Sequence, residues 1–449
     1  MESLIRILVR AKKDKDAVTA TIRTFYGDWG GQIDVTSMGG VRRYNDLVKR
    51  IEEESKGYDG LIVVLCPREM KELRNYRAHP MNVRLVNLDK AKVRNARISE
   101  IFWAIEKGKA LFRIYARWHP DKQGYVHFGT IGEPLRLKCK PTYDMYYAIG
   151  KPHKELFTEL FGAPIGENPL VVKYDEGVHE VFQGSSMALR ILIPYEYDED
   201  VRLVGKGEYE PIDVNISSCI NLNKSYLLFL ERYAFKIFKW AEANTEYDYD
   251  RVIVPWSGGK DSTVALILSI KYFGKENVVP IYVDTCLDLP LNIKYIDEIA
   301  RRLNIDYVYA KADISIELKK RGSLPTKDDR WCTKIKIKGL YDAMKKISDR
   351  PLIVVGDRDC ESLSRLRRPF VRWHEGMLQI APIKIWSTAL VQLYLAMNGV
   401  RLNPLYELGF YRLGCYICPA FRSWERRILE KYFQELATYR KRFSTLKYA

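Results

Sequence analysis

At 449 residues, the chain is long enough for two or three domains, each with its own hydrophobic core. Its composition, 47% hydrophobic and 29% charged, is that of a soluble globular protein, and no apolar run is long enough to span a membrane. These features exclude an integral membrane protein, and the absence of a signal-peptide pattern predicts a cytoplasmic one. Plentiful Lys, Arg, Glu and Tyr with few Gln residues are typical of thermophilic proteins.

The net charge of +16 is concentrated in the second half of the chain. Residues 251–449 contain 35 Lys and Arg against 21 Asp and Glu, whereas residues 1–250 contain 38 against 36. Charge that served only solubility would be spread over both halves. The asymmetry therefore predicts a polyanionic ligand for the second half, either a charged nucleotide or a nucleic acid. Lysine-rich exposed helices are the alternative explanation.

Strands and helices alternate over the first 110 residues. Apolar runs at 5–10, 60–66 and 82–87 have the length of buried strands, and segments at 41–55 and 90–108 have helical periodicity. This alternation predicts a small α/β domain at residues 1–110. No catalytic motif within it indicates its role.

The pattern changes at residues 111–215, where short apolar runs are interrupted by Gly and Pro. It predicts a β-rich or α+β accessory module with strands at 111–118, 125–129, 170–174 and 179–182 and one helix near 152–161. Modules of this kind in front of a nucleotide-binding domain can bind RNA. A connecting helix is predicted within residues 216–250.

A glycine-containing loop follows a short apolar strand at 252–256 and precedes a helix. It consists of Ser257, Gly258, Gly259, Lys260, Asp261 and Ser262. Two glycines let the backbone turn sharply close to a ligand, and free amide groups at a helix start attract anions. Lysine adds positive charge and the serines offer hydroxyl donors. The pattern predicts a phosphate-binding loop that is not of the Walker type; an ordinary glycine turn is the alternative.

After this loop, strands predicted at 279–284, 306–310 and 352–356 alternate with helices at 261–273, 290–303 and 334–346. Strands joined through helices pair in parallel, so we expect a doubly wound parallel sheet with its ligand at the carboxyl ends of the strands. Ser257, Asp284 and Asp357 follow such ends and are expected to face one cleft. The catalytic domain is predicted at 251–425, and a C-terminal helix at 426–449.

The loop resembles the pyrophosphate loop of the adenine nucleotide alpha-hydrolase superfamily, the PP-loop proteins. Four further strings resemble the phosphoadenosine phosphosulfate (PAPS) reductase family, although Ile385 stands where an acidic residue is common. They are RWCTKIK at 330–336, GDRDCESLSR at 356–365, APIKIWST at 381–388 and NPLYELGFYRLGCYICP at 403–419. The resemblance covers about residues 250–425.

The resemblance implies that ATP or an adenylyl sulfate binds at residues 257–262, together with Mg²⁺. It implies that the phosphate or sulfate end of the nucleotide meets Arg358, Glu361, Ser362 and Arg365, and Asp284 is expected beside them at its strand end. Arginine suits this task because its planar guanidinium forms paired bonds with phosphate or sulfate oxygens. Lys260, Arg358 and Cys332 are the predicted catalytic residues.

Four of the eight cysteines lie within the strings that carry the resemblance. Cys415 and Cys418 have the spacing by which two thiolates bind one metal or cluster. The cluster-bearing reductases supply the other ligands from a tandem Cys-Cys, but here Trp331 precedes Cys332, so Cys360 is the predicted fourth ligand. We expect a [4Fe-4S] cluster on these four cysteines. Zinc and reduced structural cysteines are the alternatives.

The resemblance leaves the reaction open. Reductases of the family attack adenylyl sulfate with a cysteine in a Glu-Cys-Gly tail, and no cysteine follows Cys418 here. We therefore expect ATP-dependent sulfur transfer to an acceptor such as tRNA, through adenylylation and with a sulfur donor as partner. The alternatives are reduction of an adenylyl sulfate by another cysteine, Cys286 or Cys360, with a thioredoxin-like reductant, and a nucleotide- or RNA-binding protein without turnover.

Overall fold

The structure, a computed structural model, describes residues 2–444, which divide between two units that are each discontinuous in sequence. The first unit comprises the chain up to Asp144, Ser217–Tyr247 and Gly356–Leu390. The second comprises Met145–Ile216, Asp248–Val355 and the chain from Val391 onward. The predicted phosphate loop therefore lies in the second unit, and the predicted arginines lie in the first.

A four-stranded parallel sheet forms the centre of the first unit. Its strands lie in the order Ile33–Ser37, Ile5–Val9, Leu61–Cys66 and Val83–Asn87. Leu61–Cys66 is buried at every position because it is an inner strand of a sheet with covered faces. The accompanying helices are Lys12–Phe25, Tyr44–Ser55 and Ile98–Ala110. The predicted small α/β fold is thus confirmed, and it includes a strand, Ile33–Ser37, and a helix, Lys12–Phe25, that the apolar pattern did not indicate.

The rest of the first unit is built from short elements and one long helix. Arg117–His119 pairs in antiparallel fashion with Gly124–Val126 on one side and with Glu133–Pro134 on the other. The helix Ile216–Asn244 belongs to this unit from Ser217 onward. The segment from Gly356 contains the short helix Leu363–Arg367 and a hairpin of Val371–His374 with Met377–Ile380.

Four parallel strands form the α/β sheet of the second unit. Their order is Val308–Lys311, Val278–Asp284, Arg251–Pro255 and Pro351–Val354. The helices that connect or follow them are Lys260–Phe273, Pro290–Leu303, Ile314–Arg321 and Trp331–Met344. Because consecutive strands pair in parallel and are joined through helices, this is the predicted doubly wound α/β fold.

The β-rich part of the second unit is a five-stranded sheet in which the four strands between residues 170 and 206 pair in antiparallel fashion. Its strands lie in the order Arg202–Lys206, Ser186–Leu192, Val178–Gln183, Leu170–Lys173 and Asp144–Tyr147, where Asp144 is the last residue of the first unit. The remaining helices are Lys151–Phe161, Thr388–Met397, Pro404–Glu407, Ser423–Tyr432 and Gln434–Ser444. The C-terminal helix predicted at 426–449 corresponds to the last two of these, and its residues 445–449 lie outside the described residues. Within residues 2–444, no helix combines the length and the apolar composition needed to cross a bilayer.

Candidate functional site

The predicted phosphate loop joins the strand Arg251–Pro255 to the helix Lys260–Phe273. Gly258 adopts a φ of +72°, in the left-handed region that favours glycine. A Cβ atom at this position would lie 2.5 Å from the side-chain oxygen of Asn292. Glycine is therefore required here both by the backbone conformation and by the close approach of a neighbouring helix.

Hydrogen bonds within the loop involve both of its serines. The Ser257 side-chain oxygen accepts from the backbone N–H of Gly259 at 3.3 Å, and the Ser262 hydroxyl donates to the Gly259 carbonyl oxygen at 3.0 Å. Gly259 is the N-cap residue of the following helix and has no side chain with which to cap it. The amide groups at the helix start therefore have no capping oxygen from Gly259.

Two asparagines that were not predicted as site residues fix the loop from outside. Asn292 donates its side-chain amide to the Ser257 carbonyl oxygen at 3.1 Å. Asn403 donates to the Gly258 carbonyl oxygen at 3.2 Å and to the side-chain oxygen of Asn292 at 2.9 Å. Both side chains are buried. Asn403 opens the string at 403–419, so its position in that string was the available signal, whereas Asn292 lies in an ordinary amphipathic helix.

Lys260 is buried, with only 4% of the residue exposed. Its ammonium group lies 3.0 Å from the Asp261 carboxylate and 5.0 Å from the ring centre of Tyr406. The Lys260 backbone N–H also donates to the Tyr406 hydroxyl at 3.2 Å. The cation is therefore held at the start of the helix, where it adds to the positive end of the helix dipole. Tyr406 is a further loop contact that was not predicted.

Asp284 ends the strand Val278–Asp284 in the same unit. Its carboxylate accepts the backbone N–H of Cys286 at 2.8 Å and the hydroxyl of Tyr309. The pKa of Tyr309 is raised to about 12, mainly by its hydrogen bond to Asp284 and secondly by partial burial. The phenol therefore stays protonated at neutral pH and keeps its hydrogen bond to the carboxylate.

Arg358, predicted to meet the sulfate or phosphate end of the nucleotide, is buried inside the first unit at 1% exposure. Its guanidinium donates to the Asp144 carboxylate at 3.0 Å and to the Cys360 sulfur at 3.2 Å. Asp144 is itself fully buried and also accepts the backbone N–H of Thr388 at 2.8 Å. The guanidinium is thus engaged by buried groups of its own unit.

The other predicted phosphate contacts form a network in the same segment. The Glu361 carboxylate accepts the backbone N–H of Arg358 at 3.0 Å and pairs with Arg365, whose backbone N–H donates to the Ser362 hydroxyl at 3.2 Å. Arg365 also lies 3.5 Å from Asp357, the aspartate expected at a strand end. The carboxylate of Asp357 binds three arginines, namely Arg365, Arg368 and Arg372.

Three of the four predicted thiol ligands belong to the second unit. Burial raises the pKa of Cys415 well above its usual range, and the nearby thiols of Cys418 and Cys332 raise it further. Burial also raises the pKa of Cys332, with Cys418 acting in the same direction. Each of these thiols is therefore within electrostatic reach of another. We call Cys332, Cys415 and Cys418 the thiol cluster.

Backbone contacts hold the turn that carries two of these thiols. The Cys418 N–H donates to the Cys415 carbonyl oxygen at 2.9 Å, and the Tyr416 N–H donates to the Leu287 carbonyl oxygen at 3.0 Å. The buried Arg440 donates to the Tyr416 carbonyl oxygen at 2.9 Å. Because Leu287 lies between Asp284 and Asn292, one chain segment contacts both the Cys415–Cys418 turn and the phosphate loop.

Cys360, the predicted fourth ligand, lies in the first unit. Burial, the largest cause, raises the pKa of its thiol to about 12. Among residues 2–444, no group of three or more His, Cys, Asp or Glu side chains is arranged as a metal site. The chemistry of the thiol cluster nevertheless fits a metal or iron–sulfur cluster, because thiolates are the ligands that such groups prefer.

A doubly wound parallel sheet with the loop Ser-Gly-Gly-Lys-Asp-Ser between a strand and the next helix defines a PP-loop nucleotide-binding domain. Residues 251–421 match the family model described as the phosphoadenosine phosphosulfate reductase domain. These matches support the PAPS reductase family within the PP-loop superfamily for residues 251–421.

Known proteins similar to the chain include both reductases and an uncharacterized protein. An uncharacterized protein of Methanocaldococcus jannaschii is 29% identical over 273 residues, which is 60% of this chain and 55% of that protein. Adenosine 5'-phosphosulfate reductase of Streptomyces coelicolor is 29% identical over 203 residues, 44% of this chain and 79% of the reductase. A crystal structure of PAPS reductase from Candida auris, in a phosphate complex, has a TM-score of 0.34 and 19% identity, covering 48% of this chain and 99% of that one. The chain spans about half the length of the archaeal relatives that it matches.

Proposed function

We propose that the loop at 257–262 binds the phosphate groups of ATP or an adenylyl sulfate. The observation that carries this proposal is the geometry of the helix start. Gly258 has a left-handed φ, and Gly259 has no side chain that could cap the helix. Lys260 is buried, with its ammonium group beside the first turn of the helix. A phosphate placed there would accept amide N–H groups and compete with Asp261 for the lysine ammonium. Mg²⁺ would neutralise part of the remaining phosphate charge.

The reaction that we propose is ATP-dependent sulfur transfer to an acceptor such as tRNA. A carbonyl oxygen of the acceptor attacks the α-phosphorus of ATP, and pyrophosphate leaves. A sulfur nucleophile then attacks the activated carbon, and AMP leaves with the oxygen. The loop and Lys260 contribute by holding the phosphates in line and by stabilising the charge that develops on pyrophosphate. The high positive charge of residues 251–449 supports a polyanionic acceptor.

The thiol cluster supports sulfur chemistry in the same unit as the loop. Cys332, Cys415 and Cys418, which all belong to the second unit, would hold an iron–sulfur cluster or zinc. When bound, an iron–sulfur cluster supplies sulfur-binding or electron-transfer chemistry that side chains lack. The chain's own contribution is to place these thiols through the backbone contacts of Tyr416 and through Arg440.

Reduction of an adenylyl sulfate is the second candidate reaction. It is favoured by the similarity to adenosine 5'-phosphosulfate reductase of Streptomyces coelicolor, of which the chain covers 79%. In this case a cysteine thiolate of the chain attacks the sulfur, AMP leaves, and a thioredoxin-like reductant releases sulfite from the thiosulfonate.

Two product assays separate these reactions. Sulfur transfer predicts that pyrophosphate is released from ATP when bulk tRNA is added, and that sulfur from labelled sulfide enters the tRNA. Reduction predicts sulfite from adenylyl sulfate in the presence of reduced thioredoxin. If the protein binds a nucleotide but forms neither product, it is a nucleotide-binding protein without turnover.

Two lysine-to-alanine variants test whether the loop at 257–262 binds phosphate. Lys260→Ala should reduce product formation at least tenfold and weaken nucleotide binding, whereas Lys275→Ala should change neither. Lys275 is exposed and follows the other end of the same helix, so it provides a matched control for loss of one lysine. If the Lys260→Ala variant is as active as the control, the loop does not bind phosphate as proposed.

A further inference from the structure

A cavity of about 400 Å³ lies within the first unit, beside the edge strand Val83–Asn87. Its walls come from the segment after the strand Leu61–Cys66, from the edge strand itself and from the small antiparallel sheet around Arg117. Its volume is within the range of about 300–1,000 Å³ that is typical of small-molecule sites. None of its lining residues belongs to residues 251–421, so the cavity is separate from the PP-loop domain.

The cavity is lined by four arginines and by no aspartate or glutamate. Arg84 is a fixed part of the wall, because it is buried and donates to the Leu111 carbonyl oxygen and the Tyr226 hydroxyl, both at 3.0 Å. Arg74 and Arg77 are exposed, and among residues 2–444 neither of them forms an ion pair. The cavity therefore has a fixed positive charge and two further guanidinium groups that are available to an anion.

Aromatic rings form the other part of the lining. The ring of His79 lies between Tyr76 and Phe128, with ring centres 6.3 and 6.0 Å away. The guanidinium of Arg84 lies 5.0 Å from the ring centre of Phe128. Burial, the largest cause, lowers the pKa of His79 to about 4, so its ring is uncharged at neutral pH. The ring of Phe128 also stacks on Tyr226, with ring centres 5.4 Å apart. A planar heterocycle can join such a group of aromatic rings through their faces or edges.

We propose that this cavity binds a nucleotide, with the phosphate at Arg74 and Arg77 and the base against the rings of Tyr76, His79 and Phe128. Because the cavity is lined by arginines and by no carboxylates, it favours an anionic ligand. The aromatic side chains favour a ligand in which a planar ring is attached to the anion. The nucleotide is either a free one or part of a single RNA strand, since both present the same phosphate and base. This inference does not depend on the proposed reaction at the PP-loop.

The test is a binding measurement on the full-length protein. The probes are each of the four nucleoside monophosphates, a labelled single-stranded RNA octamer containing all four bases, and inorganic phosphate as competitor. The double variant Arg74→Glu and Arg77→Glu should weaken binding of the recognised probe at least tenfold. The double variant Arg42→Glu and Arg43→Glu, which makes the same charge change at exposed positions of the same unit, should change it less than twofold.

The two sources of the nucleotide give different results. Loss of monophosphate binding in the Arg74/Arg77 variant identifies a free nucleotide, and loss of octamer binding alone identifies a nucleotide within a strand. Phe128→Leu keeps an apolar side chain and should weaken the same probe about fivefold while leaving circular dichroism unchanged. Lys260→Ala should leave cavity binding intact, which separates this site from the PP-loop.

Three outcomes would overturn the assignment. They are absence of binding by every probe, equal binding by the Arg74/Arg77 variant and the wild type, and competition by inorganic phosphate that matches the nucleotide at equal concentration. The last outcome would mean that the rings do not contribute.

Discussion

The side-chain amide of Asn403 donates a hydrogen bond to the carbonyl oxygen of Gly258 at a distance of 3.2 Å, although 145 residues separate them. The same amide group also donates to the side-chain oxygen of Asn292, and the side-chain amide of Asn292 donates to the Ser257 carbonyl oxygen. Two buried asparagines thus fix two consecutive carbonyl groups of the phosphate loop. As a result, the loop amides that would face a phosphate are oriented before the nucleotide binds.

Replacement of Asn403 should therefore weaken nucleotide binding. We expect Asn403→Ala to lower the affinity for ATP about tenfold, and the loss of buried hydrogen bonds should cost about 1–3 kcal/mol of stability. Isothermal titration and urea unfolding measure the two effects. Asn277→Ala removes an exposed asparagine of the same unit and should leave both values unchanged.

A second substitution at this position separates two roles of Asn403. Its side-chain oxygen also accepts the Leu405 N–H at 3.1 Å and caps the helix Pro404–Glu407. Asn403→Asp keeps this capping oxygen but cannot donate to Gly258. If the Asp variant binds ATP as the wild type does, the bond to Gly258 does not organise the loop.

Gly258→Ala should be more damaging than an ordinary glycine substitution. A left-handed φ costs a non-glycine residue about 1–2 kcal/mol, and here the added Cβ atom would also lie 2.5 Å from the Asn292 oxygen. Gly162→Ala is the matched control, because Gly162 has a φ of +60° and no neighbouring atom within 4 Å of an added Cβ. Urea unfolding should show a larger loss for Gly258→Ala, with loss of ATP binding only in that variant. Equal losses would mean that the close contact is unimportant.

Much of this region could be predicted because its signals are local. A short apolar strand, two glycines and an amphipathic helix follow one another directly, and each element is recognisable from its own residues. The contacts of Asn292 and Asn403 were not predictable in this way, because they depend on tertiary pairing between distant segments. For the same reason, the sequence could not show that Arg358 pairs with the buried Asp144, which lies 214 residues earlier.

The first unit illustrates a second limit of sequence patterns. The helix Lys12–Phe25 was not predicted, because its buried positions include Asp14 and Thr21 as well as Val18. Asp14 is buried because its carboxylate accepts the backbone N–H and the guanidinium of Arg94, at 3.2 and 3.1 Å. A buried, paired carboxylate breaks the apolar stripe by which helices are recognised.

The thiol cluster predicts a specific metal content. Protein purified without oxygen should be brown and contain iron, and Cys415→Ser should lose most of it, because one thiolate ligand is removed. Since burial and the neighbouring thiols raise the pKa of Cys415, cluster binding must also release protons at neutral pH. Iron analysis and absorption spectra measure the loss. Cys139→Ser, which changes a cysteine of the first unit, should keep the iron. Colourless protein with stoichiometric zinc would reject the iron–sulfur cluster.

The stability of the first unit in acid depends on Asp357. Burial raises the pKa of this carboxyl, but Arg365, Arg372 and Arg368 outweigh burial and hold it below its usual range. A carboxyl with a lower pKa in the folded state stabilises the fold above the pKa that it has when unfolded. This stabilisation is lost as the pH falls through the folded value.

Asp357→Asn should therefore cost about 2 kcal/mol at pH 7, as expected for hydrogen bonds to charged groups, and the difference from the wild type should shrink below about pH 4. Urea unfolding at several pH values measures this convergence, with the exposed Asp121→Asn as control. A difference that stays constant with pH would show that the three arginines do not depress the pKa of Asp357.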